Sequence, residues 1–215
     1  MTVRESWPIY ATHQEDVALR DNKWNAIEFQ EKRIMMWDNT NCDIYKPTNR
    51  NNQALTWSSY YNNNCCKGTI FVQLCCWMGT SELWTGLIID TDYGLQSGIL
   101  ERQREWMDGN PDEQHIPWYN IMDKGYRVSH DTWNHNNQYV LQPVFGRNGQ
   151  KFSTNETLLS AAIAKVRSGN ERAVNVVKRY AFVSTALKPR ESITRLADVW
   201  LAVGFASNFK YGTFQ

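Results

Sequence analysis

The sequence predicts a mixed α/β domain, a five-stranded sheet with flanking helices, and three observations carry that prediction. Short apolar, β-rich runs recur at Arg33–Trp37, Thr69–Trp77 and Ile116–Met122, each too short for a helix to bury. A helix-length pattern with apolar residues on one side runs from about Thr157 to Tyr180. The elements also fall in a particular order: three strands in succession, a helix, two more strands, then helices. Consecutive strands favour antiparallel meanders, while strands separated by helices favour parallel crossovers, so both pairings are expected in one sheet.

In chain order, residues 13 to 31 have an imperfect helical face built on Val17, Trp24, Ile27 and Phe29. Arg33 to Trp37 reads as a buried strand closed by Asp38. Thr48 to Asn64 carries six asparagines (Asn49, Asn51, Asn52, Asn62, Asn63 and Asn64), which is loop composition. Thr69 to Trp77 is the second strand; Met78-Gly79-Thr80 is a plausible turn into a third over Leu83–Ile89. Leu95–Trp106 reads as a helix stopped by Gly109-Asn110-Pro111. The fourth strand ends at Asp123 before the turn Lys124-Gly125-Tyr126, and Tyr139–Leu141 is a short fifth. Ser153 or Asn155 can cap the long helix, which tolerates Gly169 at some cost. A last helix spans about Ser192–Phe209. This is the element order of a ribonuclease H-like domain.

At 215 residues the chain suits one well-buried domain. The reading divides it into an arm and helix over residues 1–32 and the α/β domain over 33–215. The net charge of +1 hides an asymmetry: eleven basic residues lie between Lys124 and Arg190, against Asp131, Glu156 and Glu171 alone. A basic half of this kind suits a polyanion, although a solvated basic face is an equally ordinary reading. Cys42, Cys65, Cys66, Cys75 and Cys76 are odd in number, with no Cys-x-x-Cys. That argues against a disulfide framework and against a zinc ribbon, and fits reduced thiols inside a cell. The adjacent pairs read as strand residues facing opposite sides of a sheet. No apolar run is long enough to span a bilayer, and no secretory leader is visible, so the Asn155-Glu156-Thr157 sequon reads as a chance match.

Three acidic residues stand out by position. Asp38 and Asp123 each close an apolar strand, and Glu171 lies within the long helix. Two strands and a helix beside them can gather three carboxylates around a divalent cation, and hard oxygen donors suit Mg²⁺ or Mn²⁺. On pattern alone, a strand-ending Asp more often serves a turn. His130 and His135 lack the spacing and cysteine partners of a zinc site. Most of the ten tryptophans, including Trp37, Trp77, Trp84, Trp118 and Trp200, fall in core patterns; Trp57 and Trp133 lie in polar loops and are the better candidates for stacking on bases.

Five local segments, in order, resemble the DDE superfamily endonuclease domain of Harbinger-like and related eukaryotic transposases. They are Asp38-Asn39-Thr40 with Lys46-Pro47; Thr56-Trp57-Ser58-Ser59-Tyr60 with Lys67 further on; Gly86 to Gly98; Met122-Asp123-Lys124-Gly125-Tyr126; and Ala164 to Ala173 around Glu171. The resemblance covers about Ile34 to Phe209. It implies a two-metal DDE nuclease with catalytic and metal-binding Asp38, Asp123 and Glu171, loaded with Mg²⁺ or Mn²⁺, Asp38 bridging both ions. It also places Asp90 on a secondary acidic position, and implies DNA as substrate and the nucleus as location. Lys124, Arg167, Arg172, Lys178 and Arg179 are candidate phosphate contacts, with Arg167 one helical turn from Glu171 and able to orient it. Mutual repulsion among the acids should raise their pKa values before metal binds. The chain departs from the family pattern at Asn39, expected to crowd the turn after the first Asp, and at Gly169 and Asn170 before Glu171. Only about 37 residues precede Asp38, with no recognisable DNA-reading module. The expectation is therefore a catalytic core that borrows specificity from a separate DNA-binding protein, with a homo-oligomer as a further expected partner. The alternative is a domesticated, inactive scaffold serving a larger assembly.

Overall fold

The computed structural model describes residues 10–19, 32–126, 137–146, 151–184 and 193–210. Expectations for Trp24, Ile27 and Phe29, for His130, Trp133 and His135, and for Arg127, Arg147, Lys188 and Arg190 lie outside the described residues. The elements are α1 (His13–Leu19), β1 (Arg33–Asp43), α2 (Arg50–Thr56), β2 (Trp57–Ser58), β3 (Asn63–Gln73), β4 (Met78–Thr80), β5 (Trp84–Thr85), α3 (Asp90–Gln96), α4 (Ile99–Asp108), β6 (Trp118–Ile121), β7 (Gln138–Leu141), α5 (Thr154–Lys178), α6 (Ala181–Ser184) and α7 (Ile193–Lys210), with one 3₁₀ turn at Pro111–Glu113.

β1 pairs antiparallel with β3 on one side and parallel with β6 on the other, and β7 continues the sheet parallel to β6. Three short strands share the outer edge of β3 end to end: β2 at Asn63–Asn64, β5 at Cys66–Lys67 and β4 at Ile70–Val72. The sheet is therefore five strands wide, mixed, and compatible with a ribonuclease H-like fold, as the sequence predicts.

Alternation along β1 sorts its side chains to two cores. Ile34 and Met36 join Ile70 and Val72 of β3, Ile121 of β6, Ile163, Val166, Ala173 and Val177 of α5, and Trp200 of α7. Met35 and Trp37 face the other way, into Tyr10, Phe71, Ile99, Met107, Trp118 and Val140. Each fully buried aliphatic or aromatic side chain contributes about 1.5–3 kcal/mol, so the two-sided burial of β1 fixes its register firmly.

Arg33 opens β1 wholly buried, its guanidinium 4.8 Å from the Trp106 ring and 4.7 Å from the Trp118 ring, and paired with Glu113. Burial pulls its pKa down to about 10, opposed by the Asp16 charge. Glu113 also accepts from the His13 backbone N–H, Cys75 N–H donates to Asp16 at 2.7 Å, and Gln73 bonds both backbone groups of Ala11. Residues 10–19 thus lie against the sheet.

The structure corrects several local expectations. Asp38 does not end its strand; β1 runs five residues further because β3 supplies partners as far as Asp43. The asparagine-rich segment is not all loop. Asn49 caps α2, and buried Asn64 donates to Gln53 O and Thr56 Oγ1. Met78–Thr80 is strand β4, not a turn; the reversal comes at Leu74–Trp77, with Cys76 at φ 67°, so Cys75 and Cys76 are turn rather than strand residues. The helix expected from Leu95 to Trp106 is two, broken where Gly98 adopts φ 68°. All five cysteines are free. No helix among the described residues is long and apolar enough to cross a membrane.

α7 closes the β4 edge through polar mimicry and close packing. The Asn208 amide bonds both the N–H and the C=O of Met78, at 2.9 and 2.8 Å, and Trp200 Nε1 donates to Ser81 O at 2.8 Å. The Trp200 ring lies flush on Gly68, where a Cβ would come within 2.6 Å of it. Gly68→Ala is therefore expected to destabilise the fold by about 1–3 kcal/mol through overpacking, against the modest gain that alanine normally brings to a strand glycine; urea denaturation checks the sign.

Candidate functional site

The parallel ladder between β1 and β6 ends at Met36 opposite Ile121. Two residues further along each strand, with side-chain direction repeating every second residue, come Asp38 and Asp123. The two acids thus leave adjacent strands level with each other, on the face that carries α5. Here the strands part: β1 continues beside β3, while the chain turns away after Asp123. In open α/β sheets, such a crevice at the carboxyl ends of parallel strands is where ligands bind.

The turn after Asp123 is held on three sides. Gln142 Nε2 donates to Asp123 O and Tyr126 O at 2.7 and 2.6 Å, and Lys124 N–H donates to Asp123 Oδ1 at 2.6 Å. Gly125 passes so close to Asp90 that a Cβ there would sit 3.2 Å from its Oδ2.

α5 supplies the third side. Ser153 caps it in a reciprocal box with Glu156. Ile163, Val166, Asn170, Ala173 and Val177 form its buried stripe, and Gly169 lies within van der Waals reach of Met36. Arg167 projects from the stripe's margin and its Nη1 lies 3.1 Å from Asp123 Oδ1. Its ion pair is thus with Asp123, where the sequence suggested Glu171. Glu171 is exposed one turn later, near enough for its charge to act on Asp38. Asn170 is buried, and its Oδ1 finds no hydrogen-bond partner among the described residues.

Asp38 is pushed up to about pKa 6. Burial is the main cause; Arg167 opposes it, Asp123 adds to it, the Asn39 N–H opposes it, and Glu171 adds the rest. The expected elevation is therefore present at Asp38, but desolvation outweighs mutual repulsion as its source.

Asn39 points to the other side of β1 and crowds no turn. It donates to Asp90 Oδ1 at 3.0 Å and accepts from Thr69 Oγ1 at 2.5 Å. Lys67 lies 3.7 Å from Asp90 and donates to Ile88 O at 2.7 Å. This Thr69–Asn39–Asp90–Lys67 chain, which ties β1 and β3 to the start of α3, is invisible to spacing because its successive members are 23 to 51 residues apart. The resemblance took in Asn39, Lys67 and Asp90 separately but did not link them.

The remaining candidate cations are dispersed. Lys178 Nζ reaches 3.5 Å from Asn41 Oδ1 on β1, while Lys124 lies 5.9 Å from the Phe145 ring. Arg172 and Arg179 are exposed on α5 and at its C-terminal cap. A groove of about 620 Å³ runs over Asp38, Asn39, Asp90 and Asp123, its far wall formed by Trp57–Tyr61 and Gly86–Ile89.

A family model described as DDE superfamily endonuclease matches residues 37–205. The chain belongs to that family. No curated protein and no solved structure matches it. The DDE endonuclease match spans β1 from Trp37 to most of α7, so Asp38, Asp123 and Glu171 all fall inside it. The donor chemistry fits the divalent cations such endonucleases use: three carboxylates, with no sulfur or imidazole among them. Among the described residues, however, no three His, Cys, Asp or Glu side chains are gathered closely enough to hold an ion.

The Asp38 environment gives a signed prediction. Its folded-state pKa of about 6 lies above the ordinary 3.8, so the folded chain keeps a proton that the unfolded chain loses over that interval. Stability from this group is present below about pH 4 and is lost as pH rises through about 6. In EDTA, Asp38→Asn is expected to stabilise the protein by about 1–3 kcal/mol at pH 7 and to be nearly neutral at pH 3.5, read by denaturant melts at both values.

Proposed function

We propose that this DDE superfamily endonuclease is a metal-dependent DNA nuclease or strand-transfer core that works in the nucleus. Residues 33–215 form the catalytic unit and residues 1–32 an arm, of which residues 10–19 lie against the sheet. The observation that supports this most is the level emergence of Asp38 and Asp123 from adjacent parallel strands beneath the helix that carries Glu171. Asp38, desolvated beside the half-exposed Asp123, is costly to the fold and gains its use when a cation arrives.

In this reading Asp38, Asp123 and Glu171 hold Mg²⁺ or Mn²⁺. The bound ions would supply activation of a water or 3′-hydroxyl and charge stabilisation at the leaving oxygen. The chain's own groups do the remaining work. Arg167 holds Asp123 in place through its ion pair and offsets charge at Asp38. Glu171, exposed on α5, completes the donor set by a side-chain movement that its freedom from the core permits. The Thr69–Asn39–Asp90–Lys67 chain fixes the backbone beside Asp38. Lys124, Arg172, Lys178 and Arg179 line the approach of an anionic backbone, and Arg167 joins them once a cation takes its place on Asp123. Target choice then rests with a separate DNA-binding protein or with a second copy of the chain.

The test combines Mn²⁺ binding by calorimetry with nicking of supercoiled plasmid. The wild type is expected to bind Mn²⁺ and to nick, with both lost in Asp123→Ala and nicking lost in EDTA. A folded protein that neither binds Mn²⁺ nor cuts would point instead to the inactive scaffold of a larger assembly.

A further inference from the structure

The two sides of the acidic groove differ in chemistry. On the α5 side, Arg167 pairs with Asp123 and Lys178 reaches β1. Across the groove, the wall is aromatic and aliphatic: Trp57 is 40% exposed, Tyr60 85%, Tyr61 40%, Leu87 59% and Ile89 59%. Large apolar side chains left open to water beside a polar floor mark a contact surface rather than a folding need. Among the described lining residues Lys67 is the lone cation, against Asp38, Asp90 and Asp123, and its amine is already engaged by Ile88 O and Asp90. This wall therefore repels a phosphate backbone and favours a flat, uncharged partner.

The wall is also held rigidly. Trp57 and Ser58 are strand residues paired with Asn64 and Asn63, and Tyr61 N–H is 3.4 Å from Ser58 Oγ. Leu87 N–H donates to Leu55 O at 3.2 Å, and Gly86 is pressed so tightly that a Cβ would meet Thr56 O at 2.5 Å and Cys65 O at 2.6 Å. Tyr60 and Tyr61 stand edge to face with centroids 4.8 Å apart, which presents a fixed ring face to solvent.

We infer that the Trp57–Tyr60–Tyr61 wall stacks on unpaired nucleobases, so that this site takes DNA with a single-stranded or splayed nucleotide next to the carboxylates. The inference rests on the nuclease reading above and specifies its substrate. In a duplex the ring faces of the bases are hidden between their neighbours. An aromatic wall in the same groove as the acids is useful only when a base has left the stack. The backbone of the same strand then lies toward the cations of α5, and its bases toward the aromatic wall.

The deciding measurement is fluorescence anisotropy with labelled DNA: a blunt duplex, and the same duplex with a four-thymidine 3′ overhang. The wild type is expected to prefer the overhang by about tenfold, in keeping with a stacked base. Tyr60→Ala with Trp57→Ala should abolish that preference and leave blunt-duplex affinity unchanged, while Tyr60→Phe, which retains the ring, should keep it. Equal binding of the two DNAs by the wild type, or a preference that survives the double substitution, overturns the inference and leaves the nuclease reading standing. Failure to bind either DNA overturns both.

Discussion

The parallel pairing of β1 with β6 is the constraint on which the site depends. It is short, from Arg33 opposite Trp118 to Met36 opposite Ile121, and it is the step that converts two acids 85 residues apart into neighbours. Its register is held from both faces. Ile34 and Met36 are locked under α5, while Met35 and Trp37 are locked against Trp118 and the other core, with Trp37 Nε1 donating to Asn120 Oδ1 at 3.0 Å. A slip of β1 by one residue would turn Asp38 away from Asp123 to the opposite face, and with it every buried residue of β1.

The electrostatics follow from that placement. Once Asp38 is set between α5 and the sheet, burial alone raises its pKa, and the neighbouring charges adjust it from there. Arg167 is the compensating group, and it pairs with Asp123 while Glu171 stays exposed on the surface. The Asn39–Asp90 bond lies on the reverse side of β1, so its support for Asp38 comes through the backbone, while Arg167 and the Lys124 N–H contact the Asp123 carboxylate directly. Such separation allows the reacting groups to move while the strand that carries them stays fixed.

The groove itself is shaped by what fills the outer edge of β3. Three strand fragments take the place of one continuous strand, and the groove wall is built from β2 with the turn after it and from Gly86–Ile89 just past β5. Asn64 and Gly86 anchor the bases of these segments, one by hydrogen bonds and the other by allowing close backbone approach. Their apolar side chains are consequently committed to solvent and to whatever enters the groove.

Several features were legible in the sequence by itself. Alternating and continuous apolar runs at Arg33–Trp37 and Ile116–Met122 marked the central strands, and the spacing from Ile163 to Val177 marked the long helix; these are local periodicities that burial enforces. Acids following the apolar runs and the local DDE-like segments pointed to the family. Tertiary structure alone decided the rest. Whether β1 stopped at Asp38 depended on β3, whose partners come 27 residues later at Cys65. Met78–Thr80 became a strand because β3 and Asn208 satisfy its backbone groups, which its turn-like Met-Gly-Thr composition does not reveal. The partner of Arg167 was a choice between one group on its own helix and another on a strand, and only the packing of α5 on the sheet sets those distances. Local sequence encodes which face of an element is buried; what that face meets is a property of the assembled chain.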